Sequence, residues 1–132
     1  MSAQNGTFAI GSWDEAHYDE SGESKLTRVR ATMTYDGVIN GAGVVDYLMC
    51  SPDGGVTTFV GLERFTGTIG GRSGSAVFQH HGTFANDTAA STWVVVPGSG
   101  HDGLRGLRGE GCYPAQNEQS SLRFAFDFEN ST

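Results

Sequence analysis

Apolar and polar residues alternate in short runs along most of the chain, and helical spacing of apolar positions is almost absent. The runs fall at Gly6 to Trp13, Leu26 to Tyr35, Gly41 to Cys50, Val56 to Gly67, Ser73 to Phe84, Ala89 to Pro97, Leu104 to Cys112 and Leu122 to Phe128. Each is rich in β-branched or aromatic residues and bounded by Gly, Asp, Asn or Ser, which is the signature of strands in a meander. The last run is the clearest. Leu122, Phe124, Phe126 and Phe128 share one face, Ser121, Arg123, Ala125 and Asp127 the other, so the aromatic face must be buried. Eight strands suffice to close an antiparallel barrel and remove both sheet edges. The pattern therefore predicts a single all-β domain, an eight-stranded antiparallel β-barrel over residues 1–132.

The punctuation agrees. Asp36-Gly37, Asp53-Gly54-Gly55, Gly70-Gly71 and Asn86-Asp87 supply residues that tolerate positive φ between strands. Twenty glycines, about twice the usual share, suggest turns and bulges, and eight Phe, four Tyr and two Trp argue against disorder. Two longer connections are expected, an acidic one at Asp14 to Ser24 and one at Pro114 to Ser120 with room for a helical turn. Other strands are apolar on both faces, as at Val44, Val45, Tyr47, Leu48 and Met49 or from Trp93 to Val96. Such a wall calls for something outside it, and with little helix at hand the expected cover is another subunit, a homo-oligomer.

Charge narrows the partners. Fifteen acidic residues against eight basic ones give a formal charge of −7, with Lys25 the lone lysine. That surface repels phosphate backbones and anionic lipid, so neither a nucleic-acid nor a membrane partner is expected. Met1 to Gly6 has no basic segment followed by an apolar one, and no apolar run approaches membrane-spanning length. The expectation is a cytoplasmic protein. Cys50 and Cys112 lack metal-type spacing and read as reduced thiols.

From Gly61 the chain reads Gly-Leu-Glu-Arg-Phe-Thr-Gly-Thr-Ile-Gly-Gly-Arg-Ser-Gly-Ser-Ala-Val-Phe-Gln-His-His-Gly-Thr-Phe, then Val-Val-Pro-Gly-Ser-Gly from Val95 and Leu-Arg-Gly-Leu-Arg-Gly-Glu-Gly from Leu104. With Ser12-Trp13-Asp14-Glu15 and Tyr18-Asp19-Glu20, this closely resembles the bacterial domain-of-unknown-function family 3224, over nearly the whole chain. The resemblance implies a barrel like that of plant allene oxide cyclase and the dirigent proteins. Those relatives hold a reactive, mostly apolar small molecule and steer its cyclisation or coupling by shape. The numbered family carries no activity to transfer. One departure is Val38-Ile39-Asn40, where acidic residues are expected on either side of the isoleucine.

Candidate chemistry follows from strand parity. Glu63 shares a face with Phe59, Gly61 and Phe65, so an inward face places a carboxylate among rings, suited to proton transfer or ligand polarisation. The alternative is an ion pair with an arginine such as Arg64 of a neighbouring chain or Arg108. His80 lies with Ala76, Phe78 and Phe84, where an imidazole can serve as general acid or base or be an ordinary core histidine. Arg108, if inward beside Glu110, would pair Glu63 or bind a ligand carboxylate. Tyr35 and Tyr47 would donate to a carbonyl, with Phe59, Phe78 and Trp93 as walls of a ligand cavity or simply as packing. Adjacent His80 and His81 on opposite faces make a poor chelate, so no metal is expected. Ser73 and Ser75 lack a nucleophile elbow, and Pro97-Gly98-Ser99-Gly100 lacks the ending of a phosphate loop.

Three functions remain. One is a cofactor-independent isomerase or cyclase acting on a small apolar molecule held in the barrel, with Glu63, His80, Arg108 and Tyr47 as its polar groups. The second is a non-enzymatic carrier or sensor for such a ligand, and the third a structural oligomer with a filled barrel.

Overall fold

Period-two alternation becomes burial wherever a strand has neighbours on both sides. The structure is a computed structural model and describes residues 4–19, 24–52, 55–85, 88–116 and 121–129. These form β1 (Gln4–Asp19), β2 (Ser24–Gly37), β3 (Ile39–Pro52), β4 (Thr57–Ile69), β5 (Arg72–Ala85), β6 (Thr88–Val95), β7 (His101–Asp102), β8 (Leu107–Gln116) and β9 (Ser121–Phe128). All described pairings are antiparallel, in the order β4-β3-β2-β1-β9-β8-β6-β5, and β4 pairs β5 to close the ring. The two-residue β7 only extends the β5 side at Gly74 and Ser75. The fold is thus an eight-stranded up-and-down barrel, as the alternation predicted, with no helix among the described residues.

Every predicted strand is present, but three boundaries move by three residues or more. β1 does not stop at Trp13: Asp14 to Asp19 continue it, paired with β2 from Arg30 to Leu26. Leu104 to Gly106 turn before β8 begins, with Leu107 N donating to Leu104 O and Gly106 at φ 81°. Pro114 to Gln116 are strand and hold no helical turn, while Asp53-Gly54, Asn86-Asp87 and 117–120 lie outside the described residues. Gly70 and Gly71, at φ 59° and 84°, make the predicted tight hairpin between Ile69 and Arg72.

The strands are steeply staggered. Following paired residues round the ring from Glu15 leads through Val29, Tyr47, Gly61, His80, Trp93, Gly111 and Phe124 and returns to β1 at Gln4. Closure at this stagger requires strands tilted well away from the barrel axis. It also carries β1 past the start of β9, so these two strands pair only over Gln4 to Thr7. Beyond that point β1 has a partner on one side alone among the described residues, with a bulge at Gly11. Ile10 and Trp13, which pair with inward Met33 and Ala31, are therefore 52% and 42% exposed.

Inside, Phe65, Phe78, Trp93 and Phe124 form a continuous aromatic stack, with centroid separations from 4.6 to 5.5 Å. Glycines on neighbouring strands make room for large inner groups. A methyl built on Gly111 would overlap the Trp93 ring, and one on Gly61 would lie 2.7 Å from Tyr47 Cδ1. Cys50 and Cys112 are half-buried and unbonded.

Candidate functional site

The inner face of the wall carries a polar cluster where β2, β3, β4 and β5 run side by side. Glu63, at the middle of β4, is wholly buried because Phe59 and Phe65 on either side of it fix that parity inward. Its carboxyl group is held at both oxygens. Oε1 lies 2.6 Å from Nε2 of the wholly buried His80, and Oε2 accepts a 2.5 Å hydrogen bond from the Tyr35 hydroxyl. It rests on Gly43, where any side chain would overlap Oε2. No arginine takes part. Glu63 is thus bonded to an imidazole and a phenol, and the expected guanidinium partner is replaced by groups that can exchange a proton with it.

Tyr47 completes the cluster. Its ring stands edge-on to His80 at 5.8 Å and to Phe59 at 5.3 Å. Burial, with the Glu63 charge adding to it, raises the phenol well above its ordinary range. Tyr47 therefore stays neutral and keeps its hydroxyl proton. Trp13 lies on its other side, 6.2 Å between centroids, with its indole Nε1 donating to Glu15 Oε1 at 2.6 Å. Contacts thus lead from half-exposed Trp13 through Tyr47 and His80 to Glu63.

The raised phenol gives a pH prediction. Below about pH 10 Tyr47 is protonated in both folded and unfolded chains and contributes no pH dependence. Above it the unfolded chain releases a proton that the folded chain retains, so stability falls as pH rises. Absorbance titration of tyrosinate should show Tyr47 failing to ionise with an ordinary phenol until the protein unfolds. Early ionisation, lost on Tyr47→Phe, would contradict its burial.

Most predicted site residues meet here. Glu63, His80, Tyr35 and Tyr47 form the cluster, Phe59 edges it, and Phe78 and Trp93 border it within the aromatic stack. Arg108 does not. It lies on the outer wall, side chain 56% exposed, 3.7 Å from Asp127, and Glu110 is outside with it. The inner positions of β8 are Leu107, Gly109 and Gly111, and the two glycines receive the rings of Phe124 and Trp93. An inward guanidinium would occupy that space. The sequence reading missed Trp13 and Gly43, whose only signals were an aromatic in an acidic run and the small-residue stretch Gly41-Ala42-Gly43.

A separate groove of about 860 Å³ lies on the outer face, lined by residues that include Arg28, Arg30, Asp46, Leu48, Val60 and Leu62. Glu63 is not part of it. The wall between groove and cluster is backbone alone at Gly61, which lines the groove and backs onto Tyr47.

The sequence profile of a family described as "Protein of unknown function (DUF3224)" matches residues 4–128. Among solved structures, the chain is similar to a protein of unknown function from the DUF3224 family of Shewanella oneidensis MR-1. The two are 28% identical, with 98% of this chain and 99% of that one covered and a TM-score of 0.86. No curated protein matches.

Proposed function

The chain belongs to the DUF3224 family of proteins of unknown function, and from its own residues we propose a barrel that binds a small, largely apolar molecule and shifts a proton on it. The reaction would be a cofactor-independent isomerisation or cyclisation, in the manner of the allene oxide cyclase and dirigent barrels. One observation carries the reading: a wholly buried carboxyl group bonded to both an imidazole and a phenol, inside an aromatic wall. Burying such a group costs several kcal/mol before its partners offset it, and an apolar core of the same shape is often at least as stable. A cluster of this kind is poor stabilising material and good proton-transfer material.

In this reading the ligand docks where β1 leaves the inner face uncovered, against Ile10, Trp13 and Tyr47. Tyr47, neutral, donates a hydrogen bond to a ligand oxygen. With the Tyr47 ring swung aside to admit the ligand, the otherwise wholly buried Glu63 and His80 remove a proton from one carbon and return it to another, which balances an isomerisation without any external oxidant or reductant. Confinement among rings selects the reactive conformer.

The test is proton exchange, which needs no knowledge of the natural substrate. A panel of cyclic and conjugated ketones is incubated with protein in deuterium oxide and followed by NMR, with Trp13 fluorescence reporting binding. The wild type should exchange an α-proton of at least one compound, and Glu63→Gln should slow that by roughly a hundredfold or more while leaving the fluorescence change intact. Binding without exchange would make the protein a carrier or sensor. Neither response would favour a filled structural barrel, to which the Phe65, Phe78, Trp93 and Phe124 stack already lends support.

A further inference from the structure

We propose that the outer wall of β3 and β4 is the contact face of a symmetric homodimer. Val44, Leu48, Val60 and Leu62 all point outward there and are 42% to 55% exposed. They are contiguous: Leu48 pairs directly with Val60, Leu62 pairs with Asp46 beside them, and Val44 pairs with Arg64. Outward positions of a solvated wall have no physical reason to be apolar at four neighbouring sites. Both edges of β3 and β4 are already hydrogen-bonded within the ring, so a partner can engage this face only through side chains. An added strand is excluded as occupant.

Charge selects a second copy. Around the apolar group, Arg28, Arg30 and Arg64 balance Asp14, Glu15 and Asp46, and Arg30 holds Asp46 through paired contacts of 2.9 and 3.1 Å. The chain as a whole carries −7, so two copies repel on average but not across this locally neutral wall. The charges are also ordered. An acidic flank, Asp14, lies on β1, and a cationic flank, Arg64, lies on β4 beyond the apolar group. A two-fold axis at the β2–β3 seam, beside the apolar group, lays β1 of one copy over β4 of the other, so Asp14 meets Arg64 twice while Val44 and Leu48 of both copies pack beside the axis.

Sedimentation velocity and light scattering of the intact chain, up to about 100 µM to include modest interfaces, test this. The wild type should show twice the 14.0 kDa monomer mass. Leu62→Asp should be monomeric, as should Arg64→Glu, which sets two acids face to face. Combining Arg64→Glu with Asp14→Arg should restore the dimer. All three changes are at exposed positions, and circular dichroism confirms that each variant folds. A monomeric wild type would overturn the proposal, as would a dimer that survives both single changes. So would a charge-swapped double variant that stays monomeric while folded. A monomer that instead binds an apolar dye, with Leu62→Asp abolishing the signal, would give the groove to a small ligand and remove the dimer.

Discussion

Cutting Glu63 back to alanine should destabilise the barrel by about 3–5 kcal/mol, because two buried hydrogen-bonding groups lose this partner at about 1–3 kcal/mol each and a cavity opens. The change strips the acceptor from both the Tyr35 hydroxyl and His80 Nε2, and leaves a void above Gly43. Glu63→Gln keeps the shape and one carbonyl acceptor, so its cost should stay near 1–2 kcal/mol. Urea unfolding followed by tryptophan fluorescence measures both, because Trp93 is buried beside His80. Equal and small losses for the two variants would mean that Glu63 is not locked as described. The contrast also guards the exchange experiment, since activity lost in a stably folded glutamine variant cannot be ascribed to unfolding.

Gly43→Ala should produce the second large effect, and its sign should depend on residue 63. In the wild type the new methyl overlaps Glu63 Oε2 and crowds its Cγ. The carboxyl group could swing aside only by giving up Tyr35 or His80, so the expected cost is about 2–3 kcal/mol. In the Glu63→Ala background the same methyl enters the vacated space, and the penalty should vanish or become a small gain. A double-mutant cycle on unfolding free energies reads the coupling directly. Additive effects would show that Gly43 and Glu63 do not share this space.

Glu63 and His80 were legible in the sequence because bulky apolar neighbours two residues away settled which face of their strands was inward. Arg108 was not, for the converse reason. Gly109 and Gly111 have no side chain with which to declare the inner face of β8, and the rings that fill it, Trp93 and Phe124, belong to other strands. Asp14 to Asp19 looked like a solvated connection because Asp14, Glu15 and Ala16 are all exposed, and a stretch without burial has no alternation to detect. The strand count and ring closure depend on local pattern and survived these gaps. The outer groove and the hydrogen bond from Tyr35 to Glu63 depend on how strands twist past one another, which alternation does not encode.

Among the described residues, β1 from Ala9 onward is paired with β2 alone, which leaves an edge on its other side. Such an edge is a template on which like chains can stack into fibrils. The Gly11 bulge breaks its regularity, and Asp14 and Glu15 put repeated negative charge where a second edge would have to lie. Like charge at Asp14 and Glu15 thereby opposes edge-to-edge stacking of two copies along this stretch of β1.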